Sequence, residues 1–387
     1  MSERLAIITT HPIQYNAPLF KLLAERKKIT LKVFYTFSQA AKGGQFDSGF
    51  GKEIEWDIPL LEGYEYEFID NVAKKPGTYH FSGVINPTLN NKIESWKPDA
   101  ILVYGWSFMS HLKCMKKFYK KIPIIFRGDS NLIDEKWGLK KNLRNVFLKW
   151  VYRHTDFALY VGTANKFYYL QNGLKENQLL FAPHSIDNDR FSFNEQQLLQ
   201  NAQKRRIEMG IADDDIVFLF AGKLERKKNP ELLIKAFQKI EYKAHLVIVG
   251  NGPLENNLKL NYISDNIHFI DFQNQSEMPS VYRIGDVFVL PSEGPNETWG
   301  LSVNEAMASG LPVIVSDKSG CAFDLVENER NGYIFQSKNL PDLLAKMKLM
   351  LNKSELVRMS ECSKLKIIDW SILNYSLQLE NIVLNFI

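Results

Sequence analysis

The chain has 387 residues, 45% hydrophobic and 24% charged, with a formal net charge of +4. That is a globular composition, long for one domain and comfortable for two, and it excludes a disordered or fibrous chain. Three cysteines, Cys114, Cys321 and Cys362, are scattered and odd in number; they exclude a disulfide framework or a metal-ligand spacing and point to a reducing compartment.

No apolar run approaches the roughly 20 residues that cross a membrane. The apolar run Leu5 to Ile8 is too short for a signal-peptide core and reads as a first strand. A soluble, cytoplasmic protein is expected, with room for a peripheral place at the inner face of a membrane. Charge is unevenly placed. Residues 1–190 hold 27 Lys+Arg against 19 Asp+Glu, and the remainder 21 against 25. Within 113–153 there are 12 basic residues and 3 acidic ones. An anionic partner for the first half is the physical implication.

Residues 4–10 read as an apolar, β-branched strand. His11-Pro12-Ile13-Gln14-Tyr15-Asn16 follows, then a helix with Leu19, Leu22 and Leu23 on one side. Strand, loop and helix at this point begin a doubly wound domain. A G-x-G-x-x-G fingerprint is missing here, which argues against a dinucleotide oxidoreductase. Further strands are expected at 31–37, 99–104, 122–126 and 156–161, with helices between several of them. Residues 39–51, rich in Gly, Ser and Gln, predict a mobile surface loop with candidate acceptor contacts. A polar helix stopping near Gly210 leads to Asp213-Asp214-Asp215, read as a solvated turn rather than a metal site.

The second half repeats the rhythm, with strands at 216–221, 245–250, 267–270, 287–290 and 312–316. The loop 222–230 leads into a helix with Pro230 in its first turn. Gly250-Asn251-Gly252-Pro253 leads into another. Both bring strand ends, glycines and helix starts together, where such sheets bind ligands.

Residues 291–312 read PSEGPNETWGLSVNEAMASGLP. Gly300 lets backbone approach a ligand closely. The first N–H groups of the following helix, around Leu301, Ser302 and Val303, form an anion site. Glu297 and Glu305, eight positions apart, can accept hydrogen bonds from hydroxyls on either side of that anion. Phosphate flanked by two sugars is the layout of a nucleotide-diphosphate sugar.

A glutamate, seven residues and a second glutamate, running into Glu-Ala-Met-Ala-x-Gly-x-Pro-Val-Ile, resembles the signature of the family 4 glycosyltransferases (glycosyl transferases group 1). The resemblance implies an α/β protein of GT-B fold, two Rossmann-like doubly wound domains facing a central cleft. It implies a retaining, metal-independent transferase that needs no cofactor. Residues 181–187 are similar to the segment that ends the first domain in that family. The expected division is therefore 1–187 for the acceptor, 188–369 for the donor, and a helix at 370–387 crossing back to the first domain.

The same resemblance assigns the site. Lys223 and Lys228 resemble the basic pair placed on the donor diphosphate, although the first member is usually arginine, whose fork orients phosphate better than a lysine does. Glu305 is expected on the nucleotide ribose and Glu297 at the transferred sugar. Glu293 is a rival that breaks the spacing. His11 and Gln14 lie in the first loop, which faces the donor phosphates in the family; here that loop has no glycine. The histidine usual at the end of the 122–126 strand is absent, and Arg127-Gly128-Asp129-Ser130 stands there. Asp129 can hydrogen-bond sugar or acceptor and Arg127 an acidic group, or the two can pair with each other.

The expected partners are a nucleotide-diphosphate sugar and a glycan or lipid-linked acceptor, in surface polysaccharide biosynthesis. An anionic membrane surface suits the basic stretch better than nucleic acid, for which there is no recognition motif. The alternatives are another GT-B enzyme, such as a nucleotide-sugar epimerase or a phosphorylase, and a non-catalytic nucleotide-sugar-binding protein.

Overall fold

The computed structural model describes residues 2–42, 45–47, 52–135 and 138–386. The chain forms two compact units. The first comprises Met1–Gln45, Ile58–Pro183 and Ile372–Ile387, the second Phe46–Asp57 and His184–Ser371.

The first unit is built on a seven-stranded parallel sheet. Its strands are β1 (Arg4–Thr9), β2 (Thr30–Tyr35), β5 (Glu65–Phe68), β6 (Ala100–Tyr104), β7 (Ile124–Arg127), β8 (Phe157–Tyr160) and β9 (Leu179–Phe181). Their order is β5-β2-β1-β6-β7-β8-β9. The central strands are almost wholly apolar and buried, as a sheet covered by helices on both faces requires. Strands β5 and β9, absent from the sequence reading, are edge strands of four and three residues. Strand β5 is short, polar and partly exposed, and β9 has only three residues, so neither carries a periodicity signal.

The helix Ile372–Asn385 belongs to this unit. Tyr375, Leu379, Ile382 and Val383 are buried with Leu5, Ile7 and Leu19. Arg26 binds Glu380 through two hydrogen bonds of 2.8 and 2.9 Å.

The second unit contains β10 (Ile216–Ala221), β11 (Ala244–Val249), β12 (Ile267–Ile270), β13 (Val287–Leu290), β14 (Val313–Ser316) and β15 (Gly332–Phe335). They form one parallel sheet in the order β12-β11-β10-β13-β14-β15. In this order the chain reverses direction between β10 and β13, so the loops leaving those two strands flank one crevice.

Three local readings are revised. The units part at 183/184 rather than after residue 187, because residues 184–188 are held by the second unit. Asn304 Nδ2 donates to the His184 carbonyl at 2.9 Å, and Asn188 Nδ2 to that of Ile367 at 3.0 Å. The expected loop 39–51 includes the 3₁₀ turn Ser38–Lys42 and strand β3 (Gln45–Asp47), which pairs with β4 (Lys52–Ile54). Its residues 43, 44 and 48–51 lie outside the described residues. The chain that follows is tied to the second unit. Asn274 donates to the Glu55 carbonyl at 2.7 Å, and Asp57 accepts from the Ser276 backbone at 3.1 Å. Asp215 is buried, not solvated. It pairs with Lys243 at 2.9 Å and His245 at 3.2 Å, and those partners hold its carboxyl below the ordinary range against the opposing effect of burial. Among the described residues no cluster of three or more His, Cys, Asp or Glu is arranged to hold a metal ion.

Candidate functional site

The crevice at the β10/β13 switch point collects most of the residues singled out in the sequence. The loop after β10 begins with Gly222 and Lys223 and closes with the 3₁₀ turn Arg226–Lys228. Its course is fixed by Leu224, which is fully buried. The Leu224 N–H donates to the Asn251 carbonyl and its own carbonyl accepts from Leu254, each at 2.9 Å. The loop after β11 is thereby laced to the loop after β10. Gly250 sits at φ +130° with its Cα against the Gly222 carbonyl, where a Cβ would lie 2.1 Å from that oxygen. Only glycine fits this contact.

Lys228 reaches across to the loop after β13. Its Nζ lies 2.6 Å from Glu297 Oε2, and the Ser292 hydroxyl donates to the same oxygen at 3.1 Å. Both charged side chains are largely out of water, at 14% and 8% exposure. A buried carboxylate is tolerated only with such compensation. The Glu297 carbonyl accepts from the Gly320 N–H at 3.1 Å, and that of Trp299 from Cys321 at 3.1 Å. These bonds brace the loop from behind. The Cys321 thiol is buried and beside the Glu297 charge, and both hold it well above its ordinary pKa.

Glu293 is not interchangeable with Glu297. It turns to Arg226 at 3.5 Å and Lys338 at 3.7 Å, and its backbone N–H donates to the Lys227 carbonyl at 2.8 Å. Its part is to tie the two loops together. Lys227 pairs with Glu225 at 3.3 Å.

The helix Leu301–Ala308 starts at Gly300, whose φ of +105° a side chain would oppose. The Val303 N–H already donates to the Gly300 carbonyl at 2.9 Å. The amides left for an anion are therefore those of Leu301 and Ser302, fewer than the sequence suggested. The Ser302 hydroxyl beside them is buried and has no hydrogen-bond partner among the described residues. An orphaned hydroxyl at a helix N-terminus asks for an acceptor from outside the chain.

Glu305 lies one turn further along, 4% exposed, and accepts from the Tyr282 hydroxyl at 2.7 Å. Trp299 Nε1 donates to Asn304 Oδ1 at 2.8 Å, which fixes the residue before Gly300 against the helix. Tyr282, Ser292 and Asn304 were not found from sequence. Ser292 was within reach as the hydroxyl of the Pro-Ser-Glu-Gly-Pro loop. Tyr282 is 23 positions from the glutamate it holds, and no spacing rule joins them.

The first unit presents a separate set. His11 follows β1, half-buried, with Nδ1 3.0 Å from the Thr10 hydroxyl. Burial lowers its pKa. Gln14 lies in the next turn, half-buried. Asp129 lines a cavity of about 160 Å³ with Gly105, Trp106, Ser107, Tyr152 and Tyr169.

Arg127 is not in that cavity. It is 5% exposed, and its two terminal nitrogens donate to the Ala182 and Pro183 carbonyls, the latter at 3.0 Å. Its guanidinium stacks 4.3 Å from the centre of the Tyr375 ring. The expectation of a substrate contact gives way to a bracket that joins β7, the end of β9 and the last helix.

His111 is a buried positioning residue that the sequence did not reveal. Its Nδ1 lies 3.1 and 3.0 Å from the Tyr104 and Gly105 carbonyls and its Nε2 2.9 Å from the Thr36 hydroxyl. A carbonyl only accepts, so Nδ1 carries the proton, and Nε2 shares the single hydrogen of the Thr36 hydroxyl with the Thr9 carbonyl, which lies 3.1 Å from that hydroxyl. Burial pushes its pKa down to about 4.

Residues 201–364 match the family model described as Glycosyl transferases group 1. The chain is 25% identical over 288 residues to the sulfoquinovosyl transferase SQD2 of Arabidopsis thaliana, covering 70% of this chain and 53% of that protein. It is 30% identical over 199 residues to the UDP-Gal:alpha-D-GlcNAc-diphosphoundecaprenol alpha-1,3-galactosyltransferase of Escherichia coli, covering 48% of this chain and 49% of that one. The chain thus spans about half the length of these curated relatives. Among solved structures it resembles a glycosyltransferase from Rickettsia africae ESF-5, with TM-score 0.72, 13% identity and 99% of each chain covered. Anabaena Alr3699/HepE, solved in complex with UDP and glucose, gives TM-score 0.70 at 15% identity over 97% of this chain and 98% of that one. At such identities the likeness is one of fold, and the fold is GT-B.

Proposed function

The second unit carries a group 1 glycosyl transferase domain, and on that premise we propose that the protein transfers a sugar from a nucleotide-diphosphate sugar to a glycan or lipid-linked acceptor, with retention and without a metal ion. The observation that carries the reading is the set at the β10/β13 crevice: the Lys228–Glu297 pair, the Leu301 and Ser302 amides with the orphaned Ser302 hydroxyl, and Glu305 on the same helix.

Each part has a task in this reading. Lys223 and Lys228 neutralise the diphosphate as it departs. A lysine has three N–H donors, so Lys228 can keep Glu297 and still meet a phosphate oxygen. The helix N-terminus takes a second phosphate oxygen, favoured by its dipole. Preorganised charge of this kind is usually the largest catalytic term, because it costs no reorganisation as the bond breaks. Glu305 accepts from the ribose hydroxyls and Glu297 from the transferred sugar. The acceptor hydroxyl attacks the face that the diphosphate leaves, and the departing phosphate oxygen takes its proton, so a dedicated base is unnecessary. In the first unit, Asp129 with its cavity serves the acceptor, and His11 and Gln14 are further substrate contacts.

The activities for which the relatives are named agree with this substrate class. The enzyme from Escherichia coli is named for a UDP-sugar donor and a diphosphoundecaprenol acceptor, a lipid-linked glycan. A place at the cytoplasmic face of a membrane, in surface polysaccharide biosynthesis, follows from the same reading.

A thermal-shift panel of nucleotide sugars tests the proposal. The cognate donor should stabilise the protein by about 2.7 kcal/mol at a hundredfold excess over its Kd, and Lys228→Ala should weaken that shift. A panel in which no nucleotide sugar stabilises the wild type would overturn the reading.

A further inference from the structure

The helix Leu139–Tyr152 carries no acidic residue and has apolar side chains on two sides. One side is the ordinary one: Leu148, Val151 and Tyr152 are buried in the first unit's core. The other faces solvent. Leu143 is 73% exposed, Val146 69% and Phe147 41%. At 100° per residue, positions 143, 146, 147 and 150 fall within one stripe, and Trp150 continues it. Phe147 packs against Trp106 at 5.4 Å and Trp150 at 5.7 Å between ring centres, and Trp150 against His154 at 5.2 Å.

Cations edge the stripe. Lys149 and Arg153 lie along one side, exposed, and Lys140 lies on the other. Lys116 Nζ, from the neighbouring helix Met109–Phe118, sits 5.2 Å over the Trp150 ring. Lys141 and Arg144 are tied to Glu135 at 2.9 and 3.3 Å and so are partly neutralised. The lysines of the neighbouring stretch 113–121 form a less regular face than this one. Its helix ends at Phe118, and Lys117 pairs with Glu94 at 3.0 Å.

An exposed apolar stripe with aromatic rings along it and cations at its edges matches one kind of occupant. Anionic headgroups answer the cations, acyl chains the stripe, and the amphipathic rings sit at the boundary. Among the described residues no helix is long and apolar enough to cross a membrane. Trp106, at one end of the aromatic row, also lines the Asp129 cavity. The apolar surface therefore runs from the helix to that cavity within one unit.

We propose that the helix Leu139–Tyr152 docks flat on an anionic lipid surface, with Leu143, Val146 and Phe147 in the acyl boundary and Lys116, Lys140, Lys149 and Arg153 among the headgroups. The proposal rests on the transferase reading only for its purpose, delivery of a lipid-linked acceptor to Asp129; the binding stands by itself.

Sedimentation of the whole protein with vesicles of equal parts phosphatidylglycerol and phosphatidylcholine tests it, beside vesicles of phosphatidylcholine alone. The wild type should bind the anionic vesicles and not the neutral ones. The variant L143S/V146S/F147S should lose about tenfold or more in partition, equivalent to about 1.4 kcal/mol or more. The single change Val146→Glu, at an exposed site, should weaken binding in the same direction. Lys140→Gln with Lys149→Gln should flatten the dependence on salt, since headgroup attraction is screened within about 8 Å at physiological ionic strength. Stabilisation by the donor should be the same in all variants. Wild type that binds neither vesicle, or serine variants that bind as tightly as wild type, would overturn the proposal. So would a dimer in light scattering that the serine variant dissolves, which would assign the stripe to a second copy. Vesicle binding without any donor stabilisation would keep the proposal and sink the transferase reading.

Discussion

Lys228 Nζ stands 2.6 Å from Glu297 Oε2, and the two residues come from loops that follow different strands of one sheet. The pair joins the two sides of the crevice at the switch point. It sets a cation against a carboxylate in a nearly dry place. Removing either partner therefore has two effects, one on charge stabilisation and one on the residue left behind.

Lys228→Ala should lower turnover by about a hundredfold or more, the loss of one preorganised donor, about 2.7–4 kcal/mol. Single-turnover kinetics with saturating donor checks this. A rate within about twofold of wild type would remove Lys228 from the leaving-group role. Because Glu297 is left as a buried unpaired charge, the variant should also lose about 3–5 kcal/mol of stability. Adding Glu297→Gln should restore part of that stability while leaving the rate low.

Glu305→Gln should weaken donor binding by about 1.5–3 kcal/mol, because a charged acceptor for the ribose hydroxyls becomes a neutral amide. Titration calorimetry with the nucleotide sugar measures it. Tyr282→Phe, which removes one hydrogen bond to the carboxylate and leaves the carboxylate in place, should cost less affinity than Glu305→Gln. Equal affinity in Glu305→Gln and wild type would place the ribose elsewhere.

Gly300→Ala should destabilise the second unit by about 1–3 kcal/mol, since the residue sits at φ +105°. The new Cβ would meet Leu290 Cδ2 at 2.8 Å. Urea titration reads the loss. A stability equal to wild type would mean that the helix start relaxes freely, contrary to its bracing by Trp299 and Cys321.

The pH dependence of stability should carry the mark of His111. Its folded pKa is depressed from 6.5 to about 4. The unfolded chain thus binds the proton first, and the stability held above pH 6.5 is lost as pH falls towards 4. The loss is about 3 kcal/mol at 1.36 kcal/mol per unit of pKa. His111→Asn should be less stable at neutral pH and should show a flatter slope between those limits. Identical slopes in chemical denaturation would assign the acid sensitivity to other groups.

Arg127→Lys should lose about 1.5–3 kcal/mol of stability, because a lysine cannot reach both carbonyls and stack on Tyr375. Its donor stabilisation should match the wild type. A donor shift that changes while stability does not would return Arg127 to the substrate.

The β–α rhythm, the parallel sheets and the strand–loop–helix around Glu297 and Glu305 were written in the sequence by itself. They depend on apolar runs, glycines and helix starts that are neighbours in the chain. The short edge strands β5 and β9 escaped because three or four residues hold too little pattern. Only the tertiary structure decided the partners. Lys228 meets Glu297 because the reversal of strand order between β10 and β13 sets two distant loops side by side. Arg127 and Asp129 are two positions apart, yet one turns into the fold and the other lines a cavity. The helix Leu139–Tyr152 is the plainest case. Its sequence shows apolar residues on two sides, and spacing cannot say which side the core takes. Burial of Leu148 and Val151 settles that, and Leu143, Val146 and Phe147 are left in solvent because a helix of this width can turn only one side to its sheet.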